Sequence, residues 1–424
     1  MKYLLCIIGL ILSHNGTTQN LPYAKNIIQT LASEEFKGRG YVDHGDQNAA
    51  DYIQSQFQSI GLVPFGKSYS QPFTTPVNTF PSAMFLSING EAKQPGIDFL
   101  IDAGSPGIKG AFETVSMEID DFIHREKLST ILNNSTGKFL IIPDYNPKDY
   151  NPEEQKSIRE VIDFIKYHPE NPASGSISLT TNKLTWSAST AVYAKPSLIL
   201  KIDSTTSNIH TVKINIKNKF ISRYPTQNVV SHIKGQHPDS LVLLTAHYDH
   251  LGMMGSETIF PGANDNASGI AMLLSLAKHY KENTPKYTTV FIAFGGEELG
   301  LLGSKHFVEH PMFELSQIKF LINFDISGTG DDGIQVVNGS IYPDEFDRLR
   351  DINEKEALLH QVKIRGEACN SDHCFFHQQN VPSFFIYTLG GIQAYHDIYD
   401  RSETLPMTAF EDYFQLMTVF IDGL

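Results

Sequence analysis

Two stretches decide the fold: Leu241-Val-Leu-Leu-Thr-Ala-His-Tyr-Asp249 and Val290-Phe-Ile-Ala-Phe-Gly-Gly-Glu-Glu298. Each is a short apolar run that ends in residues able to bind a metal or move a proton. A continuous apolar run of this length fits a strand covered on both faces, as in a parallel sheet. Phe320-Leu-Ile-Asn-Phe324 and Pro382-Ser-Phe-Phe-Ile-Tyr387 are two further runs of this type. Between the first two lies a helical stretch, residues 266–281, with Ile270, Leu273, Leu274 and Ala277 on one side. Strands alternating with helices predict an α/β fold, a mostly parallel mixed sheet with helices on both faces.

Working outward, residues 21–65 read as helical. Ala49, Ile53, Phe57 and Ile60 share one face, and Gly61 suits the helix end. From about Phe73 to Phe220 short β-type runs, such as Lys138-Phe-Leu-Ile-Ile142 and Leu198-Ile-Leu-Lys-Ile202, alternate with Pro, Gly, Asn and Ser clusters. One helical patch, Glu153 to Tyr167, interrupts them. No catalytic cluster falls in this stretch. The chain of 424 residues exceeds what one core usually holds. The expected organisation is a leader at 1–19, the first part of a catalytic domain at 20–74, a mostly β inserted accessory domain at 75–222, and the remainder of the catalytic domain at 223–424.

The leader rests on Lys2, the apolar run Tyr3 to Leu12 and the polar stretch to Asn20. That is the layout of a secretory signal peptide, and the run is too short to span a bilayer, which takes ~20 residues. The expected location is secreted or periplasmic, with no stable membrane insertion after the leader is removed. Cys6 would leave with it. Cys369 and Cys374 then remain as an even pair in an oxidising compartment, either bridging a short loop or standing as two buried thiols. The formal charge of −14 removes any electrostatic reason to bind nucleic acid.

The position of the polar residues points to chemistry. His247 and Asp249 follow the first strand, Glu297 and Glu298 the second, Asp325 the third, and His396 comes after the fourth. In open α/β sheets ligands bind beyond the carboxyl ends of the strands. Four separate stretches should therefore deliver their side chains to one sheet edge. Asp265, in Pro261-Gly-Ala-Asn-Asp-Asn-Ala-Ser-Gly269, opens a helix. Alone it reads as an N-cap, and with the others as a bridge between two metals. Glu297-Glu298 alone reads as a solvated helix start, but the preceding Gly295-Gly296 permits close backbone approach. His250, His279, His306 and His310 lack a supporting cluster and read as surface or packing residues; His250 is the one rival to His247 as a ligand, and the strand-end position favours His247.

Five of these segments resemble the M28 family of co-catalytic zinc aminopeptidases, in the family's order. They are Ala246-His-Tyr-Asp-His-Leu-Gly252, Gly262-Ala-Asn-Asp-Asn-Ala-Ser-Gly269, Gly296-Glu-Glu-Leu-Gly300, Asn323-Phe-Asp325 and Tyr395-His396. The likeness extends to Phe36-Lys-Gly-Arg-Gly40 and leaves residues 75–222 largely outside it. The resemblance implies two zinc ions per chain. His247 and Asp325 would hold one, Glu298 and His396 the other, and Asp265 would bridge them. It makes Glu297 the general base, with Asp249 orienting His247. Ser371-Asp-His373 and Tyr395 would lie near a substrate pocket.

Imidazole and carboxylate suit zinc, and cobalt or manganese would fit the same set. Paired metals can activate a bridging water whose proton Glu297 accepts, and a peptide's free N-terminus can bind beside it. The expected partner is thus a peptide with a free amino terminus. Three alternatives stay open: a single-zinc glutaminyl cyclase, a carboxypeptidase or dipeptidase that uses Arg365 or Arg401 for a substrate carboxylate, and a non-catalytic receptor-like domain. Phe375, Phe376, Tyr395 and Tyr399 suit an apolar pocket or core packing equally well.

Overall fold

A computed structural model describes residues 20–203 and 208–424, so the expected leader at 1–19 lies outside the described residues. One eight-stranded sheet carries the candidate site residues His247 and Asp325 at its strand ends. In chain order its strands are β1 (Ser70–Thr79), β2 (Lys219–Ile233), β3 (His237–His247), β4 (Tyr287–Phe294), β5 (Ile318–Asp325), β6 (Ile334–Val337), β7 (Val362–Ile364) and β8 (Ser383–Thr388). Their spatial order is β1-β2-β4-β3-β5-β8-β6-β7. The four central strands, β4, β3, β5 and β8, are parallel, while β2 and β6 join them antiparallel. The sheet is mixed with a parallel centre, as the uniform apolar runs predict.

Side chains alternate across this sheet, and both faces are dry. Val242, Leu244, Ala246, Phe291, Ala293, Ile322 and Phe324 pack on one side with the helices Asn20–Leu31, Gly45–Ile60, Gly269–Glu282 and Phe410–Asp422. Leu241, Leu243, Val290, Ile292 and Leu321 face the other side, against Phe307 and Phe376 of the helices Leu302–Glu309 and His373–Gln378. Burial on both sides explains why these strands lack polar alternation. Register then sets the site. His247 lies opposite Phe294, Thr245 opposite Asn323, and Asp325 opposite Tyr387. The last residues of neighbouring strands are therefore level, and the chemistry falls on one edge.

Residues 85–216 form a second eight-stranded sheet. Its outer surface carries the helices Arg125–Asn133 and Pro152–Tyr167, of which the first was not evident in the sequence. Asn151 caps the second helix and Pro152 starts it, which suits the missing N–H of proline. Strands β1 and β2 pair antiparallel where the chain leaves and re-enters the first sheet.

Asp46, in the helix Gly45–Ile60, is fully buried and accepts hydrogen bonds from the Tyr224 hydroxyl (2.6 Å) and the Thr226 hydroxyl (2.9 Å). Burial pushes its carboxyl up to about 7 against those two bonds. A carboxyl raised on folding stabilises the protein below its unfolded pKa, and that contribution is lost as pH rises through the folded value. Wild-type stability relative to Asp46→Asn should therefore fall by at least ~1 kcal/mol between pH 4.5 and 8. Denaturant unfolding of both proteins at the two pH values measures it, and parallel pH profiles would contradict it.

Candidate active site

His247 and Asp325 sit at adjacent strand ends, with His247 Nε2 3.5 Å from Asp325 Oδ2. Asp265 reaches the same place from the turn before the helix Gly269–Glu282. Its two oxygens face different imidazoles: Oδ1 lies 3.5 Å from His247 Nε2, and Oδ2 lies 3.1 Å from His396 Nε2. Glu298 Oε2 lies 3.3 Å from the same His396 nitrogen. All five side chains named from the sequence as metal ligands thus meet at one point of the sheet edge.

The Asp265 turn is held from behind by a buried arginine. Arg39 spends its whole guanidinium on main-chain carbonyls. Nε donates to Tyr248 (2.8 Å), Nη1 to Leu31 (3.0 Å) and Pro261 (2.7 Å), and Nη2 to Gly262 (2.6 Å) and Asp265 (3.2 Å). Gly262 has φ +59°, and a Cβ there would lie 2.6 Å from Arg39 Nη2, so this turn accepts only glycine. Asp400 completes the cradle by accepting from the Asn264 and Asp265 N–H groups, at 2.8 and 2.9 Å. In the sequence Arg39 enters only through the resemblance of Phe36-Lys-Gly-Arg-Gly40, and its one local signal is an arginine between two glycines.

Asp249 differs from its expected role. His247 Nδ1 pairs with the Asp249 carbonyl oxygen at 3.1 Å, and the carboxylate is farther off at 3.9 Å. That carboxylate instead accepts from the Glu297 and Glu298 N–H groups (3.0 and 3.2 Å) and from the Tyr41 hydroxyl (2.9 Å). It fixes the turn that presents the two glutamates.

His250 is a correction. It is no surface or simple packing residue: it is fully buried in the site, with Nδ1 2.7 Å from Glu298 Oε1. Among the described residues, His247, Glu297 and Asp325 form one convergent group of possible donors, and His250, Asp265 and Glu298 a second. His396 suits a shared ion better than His250 does. A short bond already ties His250 to Glu298, whereas His396 Nε2 stands at 3.1 and 3.3 Å from two carboxylates. Local sequence ranks His250 behind His247, because a histidine just past a strand end carries no periodic signal.

Electrostatics tests whether a metal fits. Asp249, Asp265, Glu297, Glu298, Asp325, Asp372 and Asp400 are packed out of water, and the Arg39 guanidinium among them is committed to carbonyl oxygens. Asp325 Oδ1 is buried without a hydrogen-bond partner. Burial raises Asp325, and raises Glu297 well above the usual carboxyl range, with Asp372 and Glu298 adding repulsion. Burial alone would lower His396, but Asp265 and Glu298 hold it up at about 11. The imidazoles carry protons where the carboxylates call for cations. The 3.1–3.5 Å ligand separations also match the ~3.3 Å edge of a tetrahedron around zinc. The donor set fits two such ions.

Glu297 Oε2 lies 4.0 Å from His247 Nε2, beside the ligands. Cys369 and Cys374 are joined by a disulfide around Ser371, Asp372 and His373, all three buried. Ser371 Oγ accepts from Asn323 Nδ2 at 2.8 Å, and His373 Nε2 pairs with the Ala368 carbonyl at 2.9 Å. Burial lifts Asp372 to about 7. The Tyr395 ring stacks on His396 at 4.0 Å and is exposed, as is Tyr399, while Phe376 belongs to the core. Arg365 bonds the Tyr387 hydroxyl, and Arg401 bonds the Ile398 carbonyl.

Comparison with known proteins follows this geometry. Residues 228–421 match the sequence model of peptidase family M28. Aminopeptidase YwaD of Bacillus subtilis is 41% identical over 118 residues, 27% of this chain and 24% of that protein. A probable leucine aminopeptidase 2 of Aspergillus oryzae is 35% identical over 115 residues, 27% of this chain and 22% of that one. The matched segments thus span about a quarter of those relatives' lengths. A solved zinc aminopeptidase from Bacillus subtilis has a TM-score of 0.67 at 21% identity, covering 95% of this chain and 94% of that one. A peptidase M28 precursor from Shewanella amazonensis has a TM-score of 0.70 at 18% identity, covering 95% and 93%. These likenesses extend across both sheets and concern the fold.

Arg39→Lys should destabilise the protein by at least ~3 kcal/mol, because an ammonium reaches few of the five carbonyls and the rest stay buried and unpaired. Urea unfolding measures this. A loss under ~1 kcal/mol would contradict the clamp.

Proposed function

We propose that the chain, whose residues 228–421 match the sequence model of peptidase family M28, works as a secreted, zinc-dependent aminopeptidase, removing residues from the free N-terminus of peptides. The observation that carries this reading is Asp265, whose two carboxylate oxygens face the imidazoles of His247 and His396 separately. A carboxylate so placed is suited to join two ions. On this reading His247 and Asp325 would hold one zinc, Glu298 and His396 the other, and Asp265 would serve both. When bound, the pair would supply Lewis acidity at the scissile carbonyl and lower the pKa of water towards ~7.

The chain's own residues do the rest. Glu297 stands beside the ligands, largely withdrawn from solvent, with its proton affinity raised by burial. It is suited to accept a proton from the attacking water and pass it to the departing amine. Asp249 accepts from the Glu297 and Glu298 N–H groups and so fixes the turn from which Glu298 would reach the metal and Glu297 the water. The relatives named as aminopeptidases support the aminopeptidase reading.

An oxidising compartment agrees with the Cys369–Cys374 bridge. No helix among the described residues is long and apolar enough to cross a membrane.

Glu297→Gln should keep bound zinc and lose ~10²–10⁴-fold in kcat on leucyl- or alanyl-p-nitroanilide. N-acetylated versions of the same substrates should resist the wild-type enzyme. Full activity in the variant would refute Glu297 as the base. Cleavage of the blocked substrates would refute the aminopeptidase assignment.

A further inference from the structure

His396 has a second nitrogen, and its partner comes from the other sheet's segment. Nδ1 pairs with the Trp186 carbonyl at 3.1 Å, and the Trp186 N–H donates to the His396 carbonyl at 2.8 Å. These two residues are 210 positions apart. A carbonyl oxygen only accepts, so Nδ1 carries a hydrogen, and Nε2 is the nitrogen left facing Asp265 and Glu298, where a metal would displace its proton. His396 also has φ +53°, a left-handed backbone that a non-glycine residue holds only with outside support.

More of that support comes from the same stretch. Lys183 Nζ donates to the carbonyls of Gln393 (2.7 Å) and Tyr395 (3.0 Å) and pairs with Asp397 Oδ2 at 2.8 Å. Asp397 is buried, and its other oxygen accepts the Tyr399 N–H at 2.8 Å. Trp186 is itself anchored: Nε1 donates to the Ile101 carbonyl at 2.7 Å, and its ring stacks on Phe260 at 4.8 Å. One apolar cluster takes in Trp186, Phe99 and Leu198 of the inserted segment together with Leu251, Phe260 and Ile398 beside the site.

We infer that residues 183–186 are a positioning strap for the metal centre, through which the inserted sheet sets the ring orientation and tautomer of His396 and thereby the affinity of one of the two zinc sites. This rests on His396 being a ligand. Lys183 and Trp186 touch no substrate, and they act through the loop that carries His396. A partner that fixes a ligating imidazole is worth ~10–100-fold in metal affinity. The effect should fall on the ion held by Glu298 and His396, and spare the ion held by His247 and Asp325.

Competition for zinc against a chromophoric chelator at pH 7.5 tests this on the full chain, with wild type, Lys183→Met, Lys183→Arg, Trp186→Ala and His396→Ala. Wild type should bind two zinc ions. Lys183→Met and Trp186→Ala should bind the first within twofold of wild type and the second at least ~10-fold more weakly, with Lys183→Arg restoring most of the loss. Lys183 is partly exposed, so Lys183→Met decides the matter if Trp186→Ala fails to fold. Wild-type binding of both ions by Lys183→Met, or equal weakening of both, would overturn the strap. Two ions bound at wild-type affinity by His396→Ala would instead overturn the ligand assignment on which it rests.

Discussion

Burying Asp265, Glu298 and Asp325 beside one another costs several kcal/mol per ion unless positive charge is buried with them. The surrounding structure answers to that constraint. Parallel strands bring their ends level, so the carboxylates cannot separate. Arg39 relieves part of the charge and, through its five carbonyl bonds, also holds the loop that places Asp265. The imidazoles of His247 and His396 are driven towards their protonated forms. On the proposed reading the remaining demand is met by two cations, whose ligands already stand at tetrahedral spacing.

Legibility in the sequence followed the range of the interaction. The central strands were readable because burial on both faces leaves an uninterrupted apolar run, and the residue after each run is then a site residue by topology alone. His247, Glu298 and Asp325 needed no more than that. His396 stands several residues past its strand, on a loop with no periodicity, so topology points to the same edge but its role as a ligand comes from the resemblance. His250 ranks behind His247 in the sequence, although it is buried against Glu298, because nothing local separates it from a packing histidine. Asp249 was placed near His247 correctly, but its carboxylate serves the Glu297–Glu298 turn, a contact 48 and 49 residues away that local spacing does not encode.

The inserted segment shows the same limit more sharply. Residues 183–186 carry no catalytic signature, and their importance comes from contacts more than 200 residues distant along the chain. Two sheets sharing one apolar cluster beside the site make the inserted segment more than an appendage. A ligand such as His396, held in a strained backbone region at the end of a long loop, needs a wall to lean on. The second sheet provides that wall.

The central claim is that Asp265 joins two metal ions. Crystals of the zinc-loaded protein measured at the zinc absorption edge test it most directly. The account predicts two anomalous peaks ~3.5–4 Å apart, one next to each oxygen of Asp265. A single peak, or a pair of which Asp265 touches only one, would contradict it.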